Sequence, residues 1–298
     1  MLTGAYLDLW LDTYVIPFRA PSTAACYRRA IAALPDDVCK RELPALDGLT
    51  IQRSLNATAA VYPRAAQLMY TTLCVALRKA KQLRMLDFNP MEACEKPLHT
   101  PRRAAVLDVE QMTAYISAAR REACYPLLML MALCGLRRGE ALGLTWDAID
   151  FEARLMHVRQ QRLRVNHAYC ACGLKSRSSY RDLCLAPPVA ADLAAWRAGQ
   201  TMRALHGWVV DTTPETLAAS HARAISAANL PHVTPHGLRH SASTALVAEG
   251  TPIKVLQGIL GHSQYKLTAD LYADHMTAQL YAPHLARLAA AVMGARLG

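Results

Sequence analysis

The stretch "YPLLMLMALCGLRRGEALGLTWDAID", residues 125–150, marks the border between two kinds of secondary structure. It opens with an unbroken apolar run, residues 125–136, which predicts a buried helix. Arg137 follows at once, and Glu140 comes three residues later, near enough to pair with it on a helical turn. By itself this pair is also explained by a structural salt bridge. Its place at the end of a buried helix makes it a candidate for chemistry.

The pattern changes after this border. Residues 148–165 and 178–187 alternate and carry β-branched and aromatic side chains, which predicts a small antiparallel sheet of about three strands. Residues 166–178 are expected to form the loop between the last two strands. Helical periodicity resumes from Ala190, with breaks near residues 207–214, 229–235 and 250–252. The predicted fold class is mostly α with a small antiparallel β-sheet.

Upstream of the border, residues 1–97 are expected to form a small helical unit with a cationic face. Its longest predicted helix, residues 60–86, has an expected core stripe of Leu68, Thr72, Val75, Leu77 and Leu83. Candidate DNA contacts on this helix and in the following segment are Arg64, Arg78, Lys79, Lys81, Arg102 and Arg103. Prolines at 90, 97 and 101 predict a linker, so we expect a second domain over residues 98–298.

Charge and hydropathy limit the classes of partner. The formal charge is +10; residues up to Pro97 carry 12 basic and 9 acidic side chains, and the rest carry 21 and 14. Both parts are cationic, which favours a nucleic acid partner. The longest apolar run is shorter than the ~20 residues that cross a bilayer, and the N-terminus carries acids where a signal peptide is basic. We expect no membrane contact and a cytoplasmic location.

The nine cysteines are scattered and odd in number, which argues against a disulfide framework. Cys170 and Cys172 form a close pair, and with His157 and His167 nearby they suggest zinc as an alternative. No second pair follows at metal spacing, so we predict no metal.

Three further motifs place ionisable groups where a core would exclude them. "GLKSRSS" puts Lys175 in a turn before a strand, and "HGLRH" puts His236 and Arg239 on one face at a helix start. "ILGHSQYKLTADLYADH" carries His262 after a glycine and Tyr272 ten residues on. Taken singly, each also fits an ordinary role: a solvated lysine, buried and satisfied polar residues, a packing tyrosine.

Taken together and in this order, these residues resemble the tyrosine recombinase, or phage integrase, family. The sequences that surround them, "LRRGEALGLTWDAID" and "LGHS", are similar to that family as well. The resemblance is strong over residues 105–280, and the N-terminal part resembles the helical core-binding domain of that family. It implies a mixed α/β catalytic domain and six catalytic positions: Arg137, Lys175, His236, Arg239, His262 and Tyr272.

The roles that the resemblance implies suit the residue types. Arg137 and Arg239 would hold the non-bridging oxygens of a DNA phosphodiester, with His262 donating to the same phosphate. Glu140 would hold Arg137 in its rotamer.

The remaining three positions would carry out nucleophilic attack and proton transfer. Tyr272 would attack phosphorus to give a 3′-phosphotyrosyl bond, with His236 as base, while Lys175 protonates the leaving 5′-oxygen. No cofactor is required.

The family also implies an assembly. We expect a site-specific recombinase that acts on double-stranded DNA as a homotetramer, with accessory DNA-bending proteins as further candidate partners. An amphipathic C-terminal helix is expected to dock on its own core or on a neighbouring protomer through Leu280, Leu285, Leu288 and Val292. Two alternatives stay open: a type IB topoisomerase-like enzyme that relaxes DNA as a monomer, and a catalytically silent DNA-binding protein.

Overall fold

The computed structural model describes residues 1–98, 105–165, 168–200, 207–266 and 268–269. The chain divides into two compact units, residues 1–102 and 103–298. Among the described residues, no helix is long and apolar enough to span a membrane.

The first unit is helical. Its helices are α1 (Thr3–Trp10), α2 (Pro21–Ala32), α3 (Asp36–Cys39), α4 (Gly48–Val61) and α5 (Pro63–Gln82). The α1 helix continues into a π-helical turn, Leu11–Val15. The start of α4 is fixed by Asp47, whose carboxylate accepts a hydrogen bond from the Thr50 N–H at 2.8 Å.

The prediction for the longest helix was wrong in its start and in part of its buried face. α5 begins at Pro63, because proline has no N–H to continue α4 and suits the first turn of a new helix. Thr72 and Leu77 are buried as predicted, whereas Leu68 and Val75 are half-buried and Leu83 is exposed. The alanines at 66, 76 and 80 are buried instead, which brings α5 close to α2 and α4.

The second unit combines helices with short strands. Its helices are α6 (Val109–Ala119), α7 (Tyr125–Leu133), α8 (Arg138–Leu142), α9 (Pro187–Ala198), α10 (Pro214–Ala227), α11 (Pro235–Ala248) and α12 (Ile253–Leu260). Its strands are β1 (Ile149–Asp150), β2 (Leu155–Val158), β3 (Gln160–Val165), β4 (Ala168–Gly173) and β5 (Arg181–Cys184). The fold class is therefore mostly α with small antiparallel sheets, as predicted.

The core of this unit surrounds α7. All of its residues up to Ala132 are buried, so the helix has no solvent face and delivers the chain to Arg137 from inside the core.

The sheet differs from the prediction in one respect. Strands β1, β2 and β5 form an antiparallel sheet in that order, but β3 and β4 pair separately in a hairpin, with Gln160 opposite Gly173. Residues 168–173 were predicted as loop and form β4. The segment is short, carries mostly small side chains and ends in glycine, so its strand conformation depends on pairing with β3.

Candidate active site

Arg137 lies at the junction of α7 and α8, as its position in the sequence predicted. Its Nη1 donates to Glu140 Oε1 at 2.6 Å, and its backbone N–H donates to Glu140 Oε2 at 2.9 Å. Glu140 is 2% exposed, while a third of the Arg137 side chain reaches solvent. Arg137 is thus anchored on its inner side and open on its outer side.

Arg239 lies in the first turns of α11, which begins where the Thr234 hydroxyl accepts the Gly237 N–H. The residue is 3% exposed. Its Nη1 donates to the Gly135 carbonyl at 2.7 Å and its Nη2 to the Leu260 carbonyl at 2.6 Å. Burial and the neighbouring Arg137 lower the pKa of Arg239 to about 9, so the group keeps its proton at pH 7.

The end of α12 brings three guanidinium groups together. The consecutive carbonyls of Ile259, Leu260 and Gly261 accept from Arg181 Nε at 2.7 Å, Arg239 Nη2 at 2.6 Å and Arg137 Nη2 at 2.8 Å. These carbonyls have no partner within the helix, and the helix dipole favours cations there. Gly261 has a φ of +61°, which lets the chain turn directly beneath the arginines.

Arg181 was not predicted from the sequence. It is 8% exposed, lies on β5, and donates to both oxygens of Glu140. The signal was present: Arg181 occupies an inward position of an alternating strand, in step with the buried Leu183. A charge at such a position needs a buried partner.

Two histidines flank this cluster. Partial burial together with His240 and the nearby arginines lowers the pKa of His236 to about 4, although part of the ring is exposed. Burial and the charges of Arg239 and Arg137 likewise lower the pKa of His262 to about 4, and its Nδ1 lies 3.0 Å from the Thr268 hydroxyl. Both imidazoles are neutral at pH 7 in the DNA-free protein. His240 packs edge-on against His236, at 4.8 Å between ring centroids.

Lys175 is exposed in the turn between β4 and β5. The neighbouring Leu174 N–H donates to the Tyr180 hydroxyl at 3.2 Å, which ties the turn to the start of β5. The Lys175 ammonium makes no hydrogen bond or ion pair with any described residue, so no such contact fixes it relative to Arg137 and Arg239.

Arg137 and His236 line one open cleft between α8, the β3–β4 hairpin and the start of α11. Three further arginines border it, at positions 138, 162 and 164, against one carboxylate, Glu215. Arg162 is paired with Asp211, and Arg137 with Glu140, but the lining keeps an excess of positive charge and is therefore suited to a polyanion.

The other candidates lie elsewhere. Tyr272, Arg102, Arg103 and the predicted docking helix fall outside the described residues. On α5, Arg64 and Arg78 are exposed, Lys79 Nζ lies 4.5 Å from the Tyr14 ring centroid, and Lys81 Nζ lies 3.1 Å from Glu92. Within the described part of the chain, no group of three or more histidines, cysteines or carboxylates is placed to hold a metal ion.

The sequence matches the phage integrase family and several tyrosine recombinases. The profile of the phage integrase family matches residues 105–185 and 203–279. The XerC-like tyrosine recombinase of Caldanaerobacter subterraneus is 27% identical, with the match covering 49% of this chain and 44% of that protein. XerC of Brucella suis is 32% identical over 56% of this chain and 50% of the relative. These matches span about half the length of either relative. XerC of Mycobacterium tuberculosis is 29% identical over 75% of this chain and 78% of its own length.

Solved structures share the fold. The Tn1549 transposon integrase in complex with a circular intermediate DNA has a TM-score of 0.81 at 19% identity, covering 97% of this chain and 99% of that one. A lambda integrase tetramer bound to a Holliday junction has a TM-score of 0.70 at 18% identity, covering 93% and 79%. Because the family profile covers more than half of the sequence, including the segments that carry the arginine cluster, the chain belongs to the phage integrase family of tyrosine recombinases.

Proposed function

We propose that this protein is a site-specific DNA recombinase that cleaves and rejoins DNA through a 3′-phosphotyrosyl bond on Tyr272. The observation that carries the proposal is the pair formed by Arg137 and Arg239, whose guanidinium groups are fixed on adjacent carbonyls, Gly261 and Leu260. Two guanidinium groups held in this way suit the two non-bridging oxygens of a phosphodiester.

The positive charge of the arginine cluster suits the negative charge that develops in the reaction. Attack on a phosphodiester builds negative charge on the phosphorane oxygens, and prearranged donors stabilise that charge most effectively in a desolvated site. Arg239 is buried and already oriented, so little reorganisation is needed when the phosphate arrives. In this proposal His262 donates to the same phosphate, and Glu140 keeps Arg137 in its rotamer.

Each proton that moves in this reaction has a donor and an acceptor. The Tyr272 oxygen forms a bond to phosphorus and its proton passes to His236, the proposed base, which is neutral at pH 7. The bond from phosphorus to the 5′-oxygen breaks, and Lys175 protonates that oxygen. Reversal of the same steps with a 5′-hydroxyl from another strand rejoins the DNA, and the phosphotyrosyl bond conserves the energy for it.

The proposed partner is double-stranded DNA, bound by residues 1–97 as a core-binding domain and by residues 98–298 as the catalytic domain. The cationic cleft and the exposed Arg64 and Arg78 support this assignment. Arg102 and Arg103 extend the proposed DNA contacts. The DNA complex of the Tn1549 integrase, which shares the fold, supports DNA binding, and the lambda integrase tetramer on a Holliday junction supports a tetramer on two duplexes. A cytoplasmic location belongs to the same proposal. Docking of the C-terminal helix and accessory DNA-bending proteins belong to the same proposal.

The decisive assay separates this function from its two alternatives. DNA flanking the gene is searched for inverted repeats around a short spacer, and a plasmid with two such sites is incubated with the protein. A recombinase exchanges strands between the sites. Relaxation of the plasmid without exchange would favour the topoisomerase, and binding without either reaction would favour a silent DNA-binding protein.

A further inference from the structure

Arg181 is bound at every nitrogen. Its Nε donates to the Ile259 carbonyl at 2.7 Å, Nη1 to the Ser179 carbonyl at 3.0 Å and to Glu140 Oε1 at 3.2 Å, and Nη2 to Glu140 Oε2 at 2.9 Å. Only 6% of its side chain is exposed. Four of its five N–H donors are thus engaged and the side chain is buried, so we expect it to act in the reaction through Glu140 or through the end of α12, and not by direct contact with a phosphate.

Glu140 is shared by two arginines. Arg181 approaches both carboxylate oxygens, while Arg137 donates to Oε1 from Nη1 and to Oε2 from its backbone N–H. The balance of these effects is clear in the pKa of the carboxyl: burial raises it, but the hydrogen bonds and charge of Arg181 and Arg137 outweigh burial and leave it below its usual range. Glu140 is therefore ionised.

The sharing has an electrostatic consequence. A lone guanidinium and carboxylate form a neutral pair, whose field on a nearby phosphate is largely cancelled. With Arg181 on the same carboxylate, the group of three carries a net charge of +1. Since Arg181 is buried and Arg137 is open to the cleft, the uncompensated charge lies on the side where the phosphate would bind.

We propose that Arg181 is a positioning residue for Arg137: it fixes and neutralises the Glu140 carboxylate, so that Glu140 orients Arg137 without cancelling its charge at the scissile phosphate. The inference rests on the proposed function.

The rival explanation is purely structural, because Arg181 also joins β5 to the end of α12. The two explanations differ in how they depend on the charge of the substrate. A methylphosphonate at the scissile position replaces one non-bridging oxygen by an uncharged methyl group and weakens the need for Arg137. If a variant disturbs the folding of the site, adduct formation should be slow on the methylphosphonate as well. If it only lowers the effective charge of Arg137, adduct formation on the methylphosphonate should be close to that of the unmodified protein.

The experiment measures covalent adduct formation on a nicked duplex with either a phosphodiester or a methylphosphonate at the scissile position. For Arg181→Met we expect adduct formation on the phosphodiester to slow by about 10- to 100-fold, the loss typical of a hydrogen bond to a charged group. DNA affinity should stay within about threefold, and the deficit on the methylphosphonate should shrink to about threefold or less.

Two further variants serve as controls. Arg223→Met removes another arginine of the same unit, which is exposed and bound to Glu122, and should leave both rates unchanged. Arg181→Lys keeps the charge and the aliphatic stem but cannot span both oxygens. Adduct formation on the phosphodiester should slow less than for Arg181→Met, and the deficit should again shrink on the methylphosphonate. Arg181→Lys replaces Arg181→Met in the experiment if Arg181→Met does not fold.

Equal deficits on the two substrates, or no deficit on the phosphodiester, would overturn the role of Arg181. Absence of any adduct with the unmodified protein would instead overturn the proposed function.

Discussion

At the scale of single residues, His236 and His262 give the protein a defined response to acid. Each has a pKa of about 4 in the folded protein against an ordinary 6.5, because of burial and nearby cations. Between about pH 6.5 and 4 the unfolded chain therefore binds protons that the folded protein does not. The free energy of unfolding should fall as the pH is lowered through this window.

Urea unfolding of the DNA-free protein at pH 7 and pH 5 measures the effect. His262→Gln should reduce the difference in unfolding free energy between pH 7 and pH 5, since glutamine does not titrate, and His236 should account for part of what remains. A variant with the same pH dependence as the parent would show that His262 is not held neutral. Below about pH 4.5, loss of the Glu140 charge adds to the destabilisation, because the pKa of this carboxyl lies below its ordinary value of 4.5 and its contribution is lost on protonation.

The sequence indicated part of the cluster at this scale. Spacing alone predicted the contact between Arg137 and Glu140, and the structure confirms that contact at 2.6 Å. The alternation of β5 predicts that Arg181 points inward, but it does not identify the partner. Glu140 lies 41 residues away in the chain, and the contact forms only when β5 and α8 pack together.

At the scale of elements, a glycine at the end of α8 decides how closely the β3–β4 hairpin approaches. A Cβ on Gly143 would lie 2.7 Å from the Gln161 carbonyl carbon and 2.8 Å from the Arg162 nitrogen, both backbone atoms of β3. Gly143→Ala should lower the free energy of unfolding by about 1–3 kcal/mol, the range typical of overpacking.

Gly258→Ala is the matched control. The site lies in α12, is exposed, and a Cβ there meets no described atom within 4 Å. Alanine should raise the free energy of unfolding by about 0.5–1 kcal/mol through helix propensity. Urea denaturation measures both variants, and equal effects of the two substitutions would contradict the packing of the hairpin on α8.

The same element shows why the prediction of the sheet was incomplete. β5 alternates between buried and exposed residues and was predicted from that period. β4 is half-exposed to exposed along its length and, within the described part of the chain, pairs only with β3, so the pattern of apolar residues gave no signal for it. Helices α10, α11 and α12, by contrast, begin at Pro214, at Pro235 and just after Pro252, where breaks were correctly predicted. Helix α9 begins at Pro187, three residues before the predicted start at Ala190.

At the scale of the whole molecule, the basic residues of α5 should contribute unequally to DNA binding. Arg64 and Arg78 are exposed and make no ion pair with any described residue, whereas Lys81 is already paired with Glu92. The Arg64→Ala, Arg78→Ala double variant should weaken DNA binding and reduce the slope of log affinity against log salt by about 0.9 for each phosphate that the protein no longer neutralises.

Lys81→Ala should change that slope less, because an ammonium that is already paired with Glu92 neutralises no phosphate. Titration of a fluorescent duplex at several salt concentrations gives the slopes. A larger effect of Lys81→Ala than of the double variant would contradict this ranking of the cationic face.

The proposed reaction depends above all on Tyr272 being the nucleophile that the arginine cluster serves, and mapping of the covalent adduct decides the point. A nicked duplex carrying the recombination site traps the intermediate, and mass spectrometry of the digested complex locates the attached nucleotide. We expect a 3′-phosphate linked to the peptide that contains Tyr272, and no adduct with Tyr272→Phe. A nucleotide on another residue, a 5′-linkage, or an adduct that survives Tyr272→Phe would contradict this assignment.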